Sequence, residues 1–269
     1  MLKERVATAV ILIPLLLALL IWGNFYVLLS FLAVCVWLSC YESSYLILSP
    51  LLLGQEKPLK AWQASLTGLI GVLLFFLFVY VKNELFVIVT LFMLISLYAM
   101  MFMKEVKQTL FFIVGLMITL IYGSFFWFGV WNILGLSENK SHLFWFLAVI
   151  MLSDTGGYFF GLHFGKHKLS PLSPKKTWEG VFGGLFLSFI GAMLLNLFFS
   201  FGAYGHVAII SAITAILGVY GDLLESLFKR FSQVKDSGNI FPGHGGFLDR
   251  VDGIMFASPF FWFLADRLL

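Results

Sequence analysis

Four carboxylates in the C-terminal part of the chain stand where a carboxylate is expensive. Asp222 and Glu225 follow the apolar run 207–220, and Asp249 and Asp252 come just before another apolar run. A charge at bilayer depth costs at least a few kcal/mol, so such groups are rare and face a cavity or a partner. Gly218, Asp222, Glu225, Ser226 and Lys229 fall at i, i+4, i+7, i+8 and i+11, which on a helix is a single polar stripe. The second acidic pair is approached through Pro242-Gly243-His244-Gly245-Gly246. That segment cannot be helix interior; its glycines permit positive φ, and consecutive N–H groups can form an anion-binding nest. Two acidic clusters from different helices, a Gly-rich turn and the cations Lys229, Arg230, Lys235 and Arg250 suit a divalent cation plus phosphates. Hard oxygen ligands favour Mg²⁺, which is often held by one or two carboxylates and the substrate's own phosphates. Zinc is disfavoured, because the five His are scattered and no Cys lies nearby. An ion pair that pins helices together accounts for either acidic cluster taken singly, and less well for the two together.

Other residues carry weaker signals. Asp154 lies inside an apolar stretch and is followed by Thr155-Gly156-Gly157. Gly157, Gly161 and Gly165 are spaced by four, as are Gly180 and Gly184, a pattern that suits close helix packing in lipid and does not itself require a carboxylate. The stretch from Lys166 to Gly180 is basic and stiffened by Pro171 and Pro174. It reads either as a loop beside anionic headgroups or, through Lys175 and Lys176, as a phosphate binder. His244, between glycines, is as readily a turn residue as a catalytic acid or base.

The elements that must hold these groups follow from composition. The chain has 269 residues, 61% hydrophobic and 12% charged, with a mean hydropathy of +0.98. Soluble domains run at about 45–50% apolar and 25% charged, so a water-soluble globular protein and a disordered chain are both excluded. The net charge of +3 is too small to imply nucleic acid. Cys35 and Cys40 share one apolar stretch and give no disulfide framework. A bilayer core needs about 20 apolar residues per helix. Nine spans are predicted, at roughly 7–23, 25–40, 61–81, 85–103, 109–132, 143–164, 180–201, 207–228 and 251–268. The expected class is an all-α polytopic integral membrane protein with about nine transmembrane helices. The first two spans, joined through Gly23-Asn24, can alternatively form a re-entrant hairpin. The first has no cleavage site of the signal-peptide kind after it. With the N-terminus in the cytoplasm, fourteen Lys and Arg fall on the cytoplasmic side and Lys82, Lys140 and Arg267 on the other, out of seventeen. That bias makes the orientation self-consistent and puts loops 165–179 and 229–250 on the cytoplasmic face. Residues 1–150 read as a bland transmembrane scaffold and dimer region. Residues 151–269 read as the catalytic region.

The stretch Ser226 to Asp252, SLFKRFSQVKDSGNIFPGHGGFLDRVD, strongly resembles the signature of phosphatidate cytidylyltransferases. The matching skeleton is Ser226, Lys229-Arg230, Lys235-Asp236, Pro242, His244-Gly245-Gly246, Asp249-Arg250 and Asp252. The stretches Ser173 to Gly180 and Gly221 to Ser226 resemble the same family, so about 100 C-terminal residues carry the likeness and the first 150 match in general character only. The resemblance implies CTP plus phosphatidic acid giving CDP-diacylglycerol plus pyrophosphate, in a Mg²⁺-dependent homodimer set in a membrane, expected to be the bacterial cell (inner) membrane. It also implies, for some members, a second monovalent cation such as K⁺.

A lipid phosphate monoester has its second pKa near 6, so a dianionic nucleophile is available at neutral pH. Catalysis then rests on positioning and charge neutralisation. On placement and signature together, Asp222 and Asp249 are expected to hold the metal, with Glu225, Asp236 and Asp252 as second choices for ligands or for orienting basic groups. Lys229, Arg230, Lys235 and Arg250 are expected to neutralise the triphosphate. Lys175 and Lys176 are expected to bind lipid phosphate or CTP, with Pro242 to Gly246 shaping the nucleotide loop. A CDP-alcohol phosphotransferase fits only at Asp249-Arg250-Val251-Asp252-Gly253, since Phe256-Ala257 stands where Ala-Arg is needed. A CTP-dependent polyprenol or phytol kinase shares the phosphate logic and differs in which phosphate it transfers. A transporter usually shows repeats and midplane sites, whereas here the polar residues gather near one face.

Overall fold

The computed structural model describes residues 18, 22–53, 59–81, 83–240 and 245–269. Ten helices are described: α1 (Phe25–Ser43), α2 (Ser49–Leu53), α3 (Ala61–Val81), α4 (Glu84–Phe102), α5 (Val106–Leu120), α6 (Phe126–Gly135), α7 (Ser141–Phe164), α8 (Trp178–Phe199), α9 (Tyr204–Phe231) and α10 (Leu248–Leu268). Wider π-turns at Ser44–Leu48 and Ile121–Phe125 join α1 to α2 and α5 to α6. Among the described residues there is no strand; an isolated bridge pairs Lys168 with Thr177. The chain is an all-α membrane protein: seven helical stretches among the described residues are long and apolar enough to cross a bilayer.

Six of the expected spans match these stretches within a few residues. The expected span 25–40 is too short, because the helical path runs on through Phe25–Leu52. Polar residues just past Cys40 suggest an end, but each finds a local partner. Ser43 Oγ donates to Cys40 O at 3.3 Å and Ser44 Oγ to Tyr41 O at 2.6 Å, so hydroxyls fold back on the helix instead of breaking it. Span 7–23 falls almost entirely outside the described residues, and the question of a re-entrant hairpin falls there with it. The expected ninth span is helix α10. Its ends carry Asp249, Arg250, Asp252, Asp266 and Arg267, which keeps it out of the set of seven.

Packing divides the chain into two units. One is Met1–Phe128 with Phe228–Arg250, and the other is Gly129–Leu227 with Val251–Leu269. Each takes residues from both sides of position 150.

In the first unit the buried Cys40 is clamped between α3 and the second π-turn. Its Sγ lies 3.7 Å from Ser124 Oγ, which in turn donates to Gly71 O at 2.9 Å. Any side chain at Gly71 or Gly123 would collide with that sulfur. Trp127 Nε1 donates to Ser39 Oγ at 2.8 Å, which ties α6 to α1. The Leu46 carbonyl, inside the first π-turn, accepts from Ser232 Oγ.

The second unit is built on small residues. On α8 the buried positions are Gly180, Gly183, Gly184, Ser188, Ala192 and Asn196, while Phe182, Phe186, Phe189, Leu194 and Leu197 are exposed. Large apolar groups point outward and small ones inward, as expected where lipid is the solvent and backbones must approach closely. The expected glycine packing is realised between α7 and α8. A Cβ on Gly156 would stand 2.5 Å from Gly183 O, and one on Gly184 would stand 2.6 Å from Ser153 O. Helices α9 and α10 cross in the same way, with Gly221 against the Asp252 carbonyl and Gly253 against Gly218. Trp145 Nε1 donates to Ser211 Oγ at 3.0 Å, with its ring stacked on Phe201.

Gly156→Val should force α7 and α8 apart at backbone contact and cost about 1–3 kcal/mol. Thermal unfolding in detergent should show a lower midpoint for this variant, and an unchanged midpoint for a control at Gly135, where a Cβ would meet nothing within 4 Å.

Candidate active site

Two carboxylate sites are assembled, one in each unit.

In the second unit, the α9–α10 glycine crossing brings side chains from the two helices together. Ligand atoms of Asp222, Glu225 and Asp252 all lie within 4.8 Å of one another. The polar stripe on α9 behaves as its spacing predicts: Gly218, Glu225 and Ser226 are buried, while Ile209, Ile216, Tyr220 and Leu227 on other faces are exposed. Ser226 Oγ donates to Asp222 Oδ1 at 3.4 Å. Lys176 Nζ approaches Asp222 Oδ2 to 2.7 Å. Asp154 interacts electrostatically with both Lys176 and Asp222, and Asp252 with Asp222, Lys176 and Asp154.

Lys176 reaches this point because the basic loop is folded. Leu169 N–H donates to Lys176 O at 2.8 Å and Trp178 N–H to His167 O at 3.0 Å. Thr177 caps α8 by accepting from Gly180 N–H at 3.2 Å, the preferred chemistry for a helix start. Glu179 Oε2 accepts the N–H groups of Lys166 and His167, and its Oε1 lies 2.6 Å from His167 Nδ1. A cavity of about 340 Å³ opens beside the cluster, lined by Asp154, Tyr158, Ser173, Lys175, Lys176 and Asp222 among others. Two cations and two carboxylates thus share one wall, an arrangement able to receive phosphate groups together with a cation.

In the first unit, Asp249 is saturated with donors. Lys229 Nζ donates to its Oδ1 at 2.6 Å. Its Oδ2 accepts from Ser237 N–H at 2.9 Å, Gly246 N–H at 2.8 Å and Ser237 Oγ at 3.0 Å. Burial alone would raise the Asp249 pKa, but hydrogen bonds from Lys229, Gly246 and Ser237 and the Lys229 charge outweigh it and hold the carboxyl below its ordinary value. Gly245 is at φ +83°, and a Cβ there would stand 2.7 Å from Asp249 Oδ2; only glycine meets both demands.

Beside Asp249 lies a residue that the sequence reading passed over. Glu42, at the end of α1, is 2% exposed. Its carboxylate accepts Phe247 N–H and Leu248 N–H at 2.9 Å each, and Ser237 Oγ at 2.9 Å. Residues 1–150, read as a bland scaffold, give Glu42 no role. The available signal was the apolar run Tyr45 to Leu48 after it, which places the carboxylate inside a helix of membrane length.

The remaining expected site residues are spread. Arg230, Lys235, Asp236 and Arg250 are exposed. Gly246 is buried against Ser237, and His244 lies outside the described residues. Among the described residues, the three-carboxylate grouping is Asp222, Glu225 and Asp252.

A phosphatidate cytidylyltransferase of Staphylococcus saprophyticus is 48% identical over 125 residues, covering 46% of this chain and 48% of the relative. One of Staphylococcus aureus is 47% identical over 127 residues, with the same shares. One of Staphylococcus haemolyticus is 46% identical over 125 residues, again with the same shares. Over the aligned residues the chain spans about half the length of the curated relatives it matches. Residues 3–267 match the cytidylyltransferase family, and the chain belongs to that family.

Proposed function

We propose that this chain is a phosphatidate cytidylyltransferase, joining CTP and phosphatidic acid to give CDP-diacylglycerol and pyrophosphate. The observation that carries the reading is the Asp222, Glu225 and Asp252 cluster with Lys176 at its edge, beside a cavity lined by Lys175 and Asp154. In the reaction a lipid phosphate oxygen attacks the α-phosphorus of CTP. The bond from that phosphorus to the bridging oxygen breaks, and pyrophosphate leaves with the electron pair.

The donor set fits a hard divalent cation. It offers three carboxylates, no sulfur and no imidazole, with reach across 4.8 Å. Mg²⁺ held by Asp222, Glu225 and Asp252 would supply charge neutralisation on the phosphates. Asp222 keeps the role the sequence suggests. Glu225 and Asp252, second choices there, become the principal ligands of the proposal. Asp249 is assigned to hold Lys229 toward the triphosphate, since Lys229 and the N–H groups of Ser237 and Gly246, with a share of the Ser237 hydroxyl, already fill most of its lone pairs. Lys175 and Lys176 bind phosphate oxygens in the cavity. Arg230, Lys235 and Arg250 are assigned, from the resemblance, to attract the polyanionic nucleotide, with Gly245 and Gly246 shaping the loop. A K⁺ ion at the same centre and a homodimer are carried by the resemblance alone. The bacterial cell (inner) membrane as location is supported by bacterial relatives. The cytoplasmic orientation is supported by the skew of Lys and Arg across the loops.

CTP labelled at the α- or γ-phosphate tests the reaction directly, with purified protein, phosphatidic acid and Mg²⁺ in detergent. The α-label should enter the lipid and the γ-label should leave as pyrophosphate. The γ-label entering the lipid would make the chain a kinase. No transfer of either label would reopen the transporter, which a proteoliposome flux assay would detect. Asp222→Asn and Lys176→Met should each lower kcat/KM by about 100-fold or more.

The cation assignment has its own test. Asp252→Asn removes one of three crowded like charges. In EDTA its melting midpoint should rise by about 2–4 °C, as for roughly 1 kcal/mol. The stabilisation that Mg²⁺ gives the wild-type chain should disappear in this variant. A full Mg²⁺ shift in Asp252→Asn would remove that residue from the cation site.

A further inference from the structure

We propose that Glu42 is a positioning residue for the nucleotidyl transfer, acting through Ser237 on Asp249 and Lys229. The inference rests on the reading above for the reaction, but its geometry does not.

The first N–H groups of a helix have no partner within the helix. At the start of α10 they are met from elsewhere in the first unit. Phe247 and Leu248 donate to Glu42, Asp249 N–H donates to Ser237 Oγ at 3.3 Å, and Gly246 N–H donates to Asp249 itself. Glu42 is 205 residues away from Phe247 in the chain, so a carboxylate from the first described helix fixes where the last one begins.

Ser237 joins the two acids. Its Oγ lies 2.9 Å from Glu42 Oε2 and 3.0 Å from Asp249 Oδ2. A hydroxyl has one proton to give, so the two carboxylates share one donor and their positions are linked. Asp249 in turn holds Lys229 at 2.6 Å. The path Glu42, Ser237, Asp249, Lys229 is therefore continuous at hydrogen-bond distance. The segment also has no slack. A Cβ at Gly246 would collide with Ser237 Oγ and stand 2.6 Å from Glu42 Oε2, and one at Gly238 would collide with Glu42 Oε1. The glycines let the backbone wrap this carboxylate, which a mere surface acid would not require.

A purely structural buried acid and a positioning acid differ in what they disturb. Glu42→Gln keeps the volume but turns an NH₂ donor toward N–H or O–H donors. Turnover per folded molecule should fall about 10- to 100-fold, the range for groups that orient a site from behind it. Ser237→Ala cuts the link while leaving Glu42 on the α10 N–H groups. It should show a loss of the same size with a melting midpoint close to wild type. The double variant should be no slower than the slower single, because both act on one path.

Wild-type turnover in folded Glu42→Gln would overturn the proposal, and so would losses that multiply in the double variant. If Glu42→Gln does not fold, Ser237→Ala decides alone, and full activity there overturns the proposal. Hydrogen–deuterium exchange over residues 245–250 is read without substrate. Faster exchange in Glu42→Gln is expected, and unchanged exchange overturns the proposal. A wild-type chain that transfers no CMP would sink the proposed reaction, and this exchange measurement would still report whether Glu42 holds the segment.

Discussion

Like charges crowded at low dielectric govern the second unit. Three carboxylates within 4.8 Å of one another repel by something on the order of 3–4 kcal/mol per ionised pair at an effective dielectric near 20. That is a large fraction of a protein's whole stability, so surrounding elements must answer it. Lys176 is the answer contributed by the α7–α8 loop, and it explains why that loop is internally bonded. A lysine on a floppy loop would lose entropy on every approach to Asp222. The β-bridge, the Thr177 cap and the Glu179 clamp remove that freedom in advance.

The two units solve the problem of an acid in an apolar setting in opposite ways. Asp249 and Glu42 are surrounded by donors, and each has its lone pairs largely used. In the Asp222, Glu225 and Asp252 group three carboxylates converge, with Lys176 against Asp222. A saturated acid is suited to holding backbone and neighbouring cations in place. Three converging carboxylates are suited to taking up a hard cation and the phosphates that come with it. The proposed chemistry and the architecture thus fall to different carboxylates that the sequence alone presents as equivalent.

How far each residue was legible depends on whether its partner was local. The stripe Gly218, Asp222, Glu225 and Ser226 was readable because a helix converts spacing into a face with no further information. The glycines of α7 and α8 were readable because small residues at intervals of four have one main use in lipid. Seven of the spans follow from hydropathy for the same reason. Glu42 was not readable, since its three donors come from residues some 195 to 206 positions away. Nor could it be read that Asp249 is ringed by donors while Asp252 joins Asp222 and Glu225, because that depends on the side on which Lys229 and Ser237 present their donors. The continuation of α1 past Glu42 was hidden by Ser43 and Ser44, whose hydroxyls return to their own helix.

Rigidity follows from the same small residues that set the packing. Where α9 crosses α10, a single methyl group at Gly221 would stand 2.5 Å from the Asp252 carbonyl. The backbone that carries Asp252 is therefore fixed against the backbone that carries Asp222 and Glu225. Sites on packed helices hold their geometry better than sites on loops, and this matters most for a reaction in which the protein supplies little covalent chemistry. If phosphate oxygens and a cation have to be placed to within a fraction of an ångström, the precision has to come from such crossings. Lys176 comes instead from the loop before α8, whose own hydrogen bonds hold it at Asp222. That division puts the acids on the helices and the positive charge on a pre-organised loop, where phosphates brought to the proposed site would find it already in place.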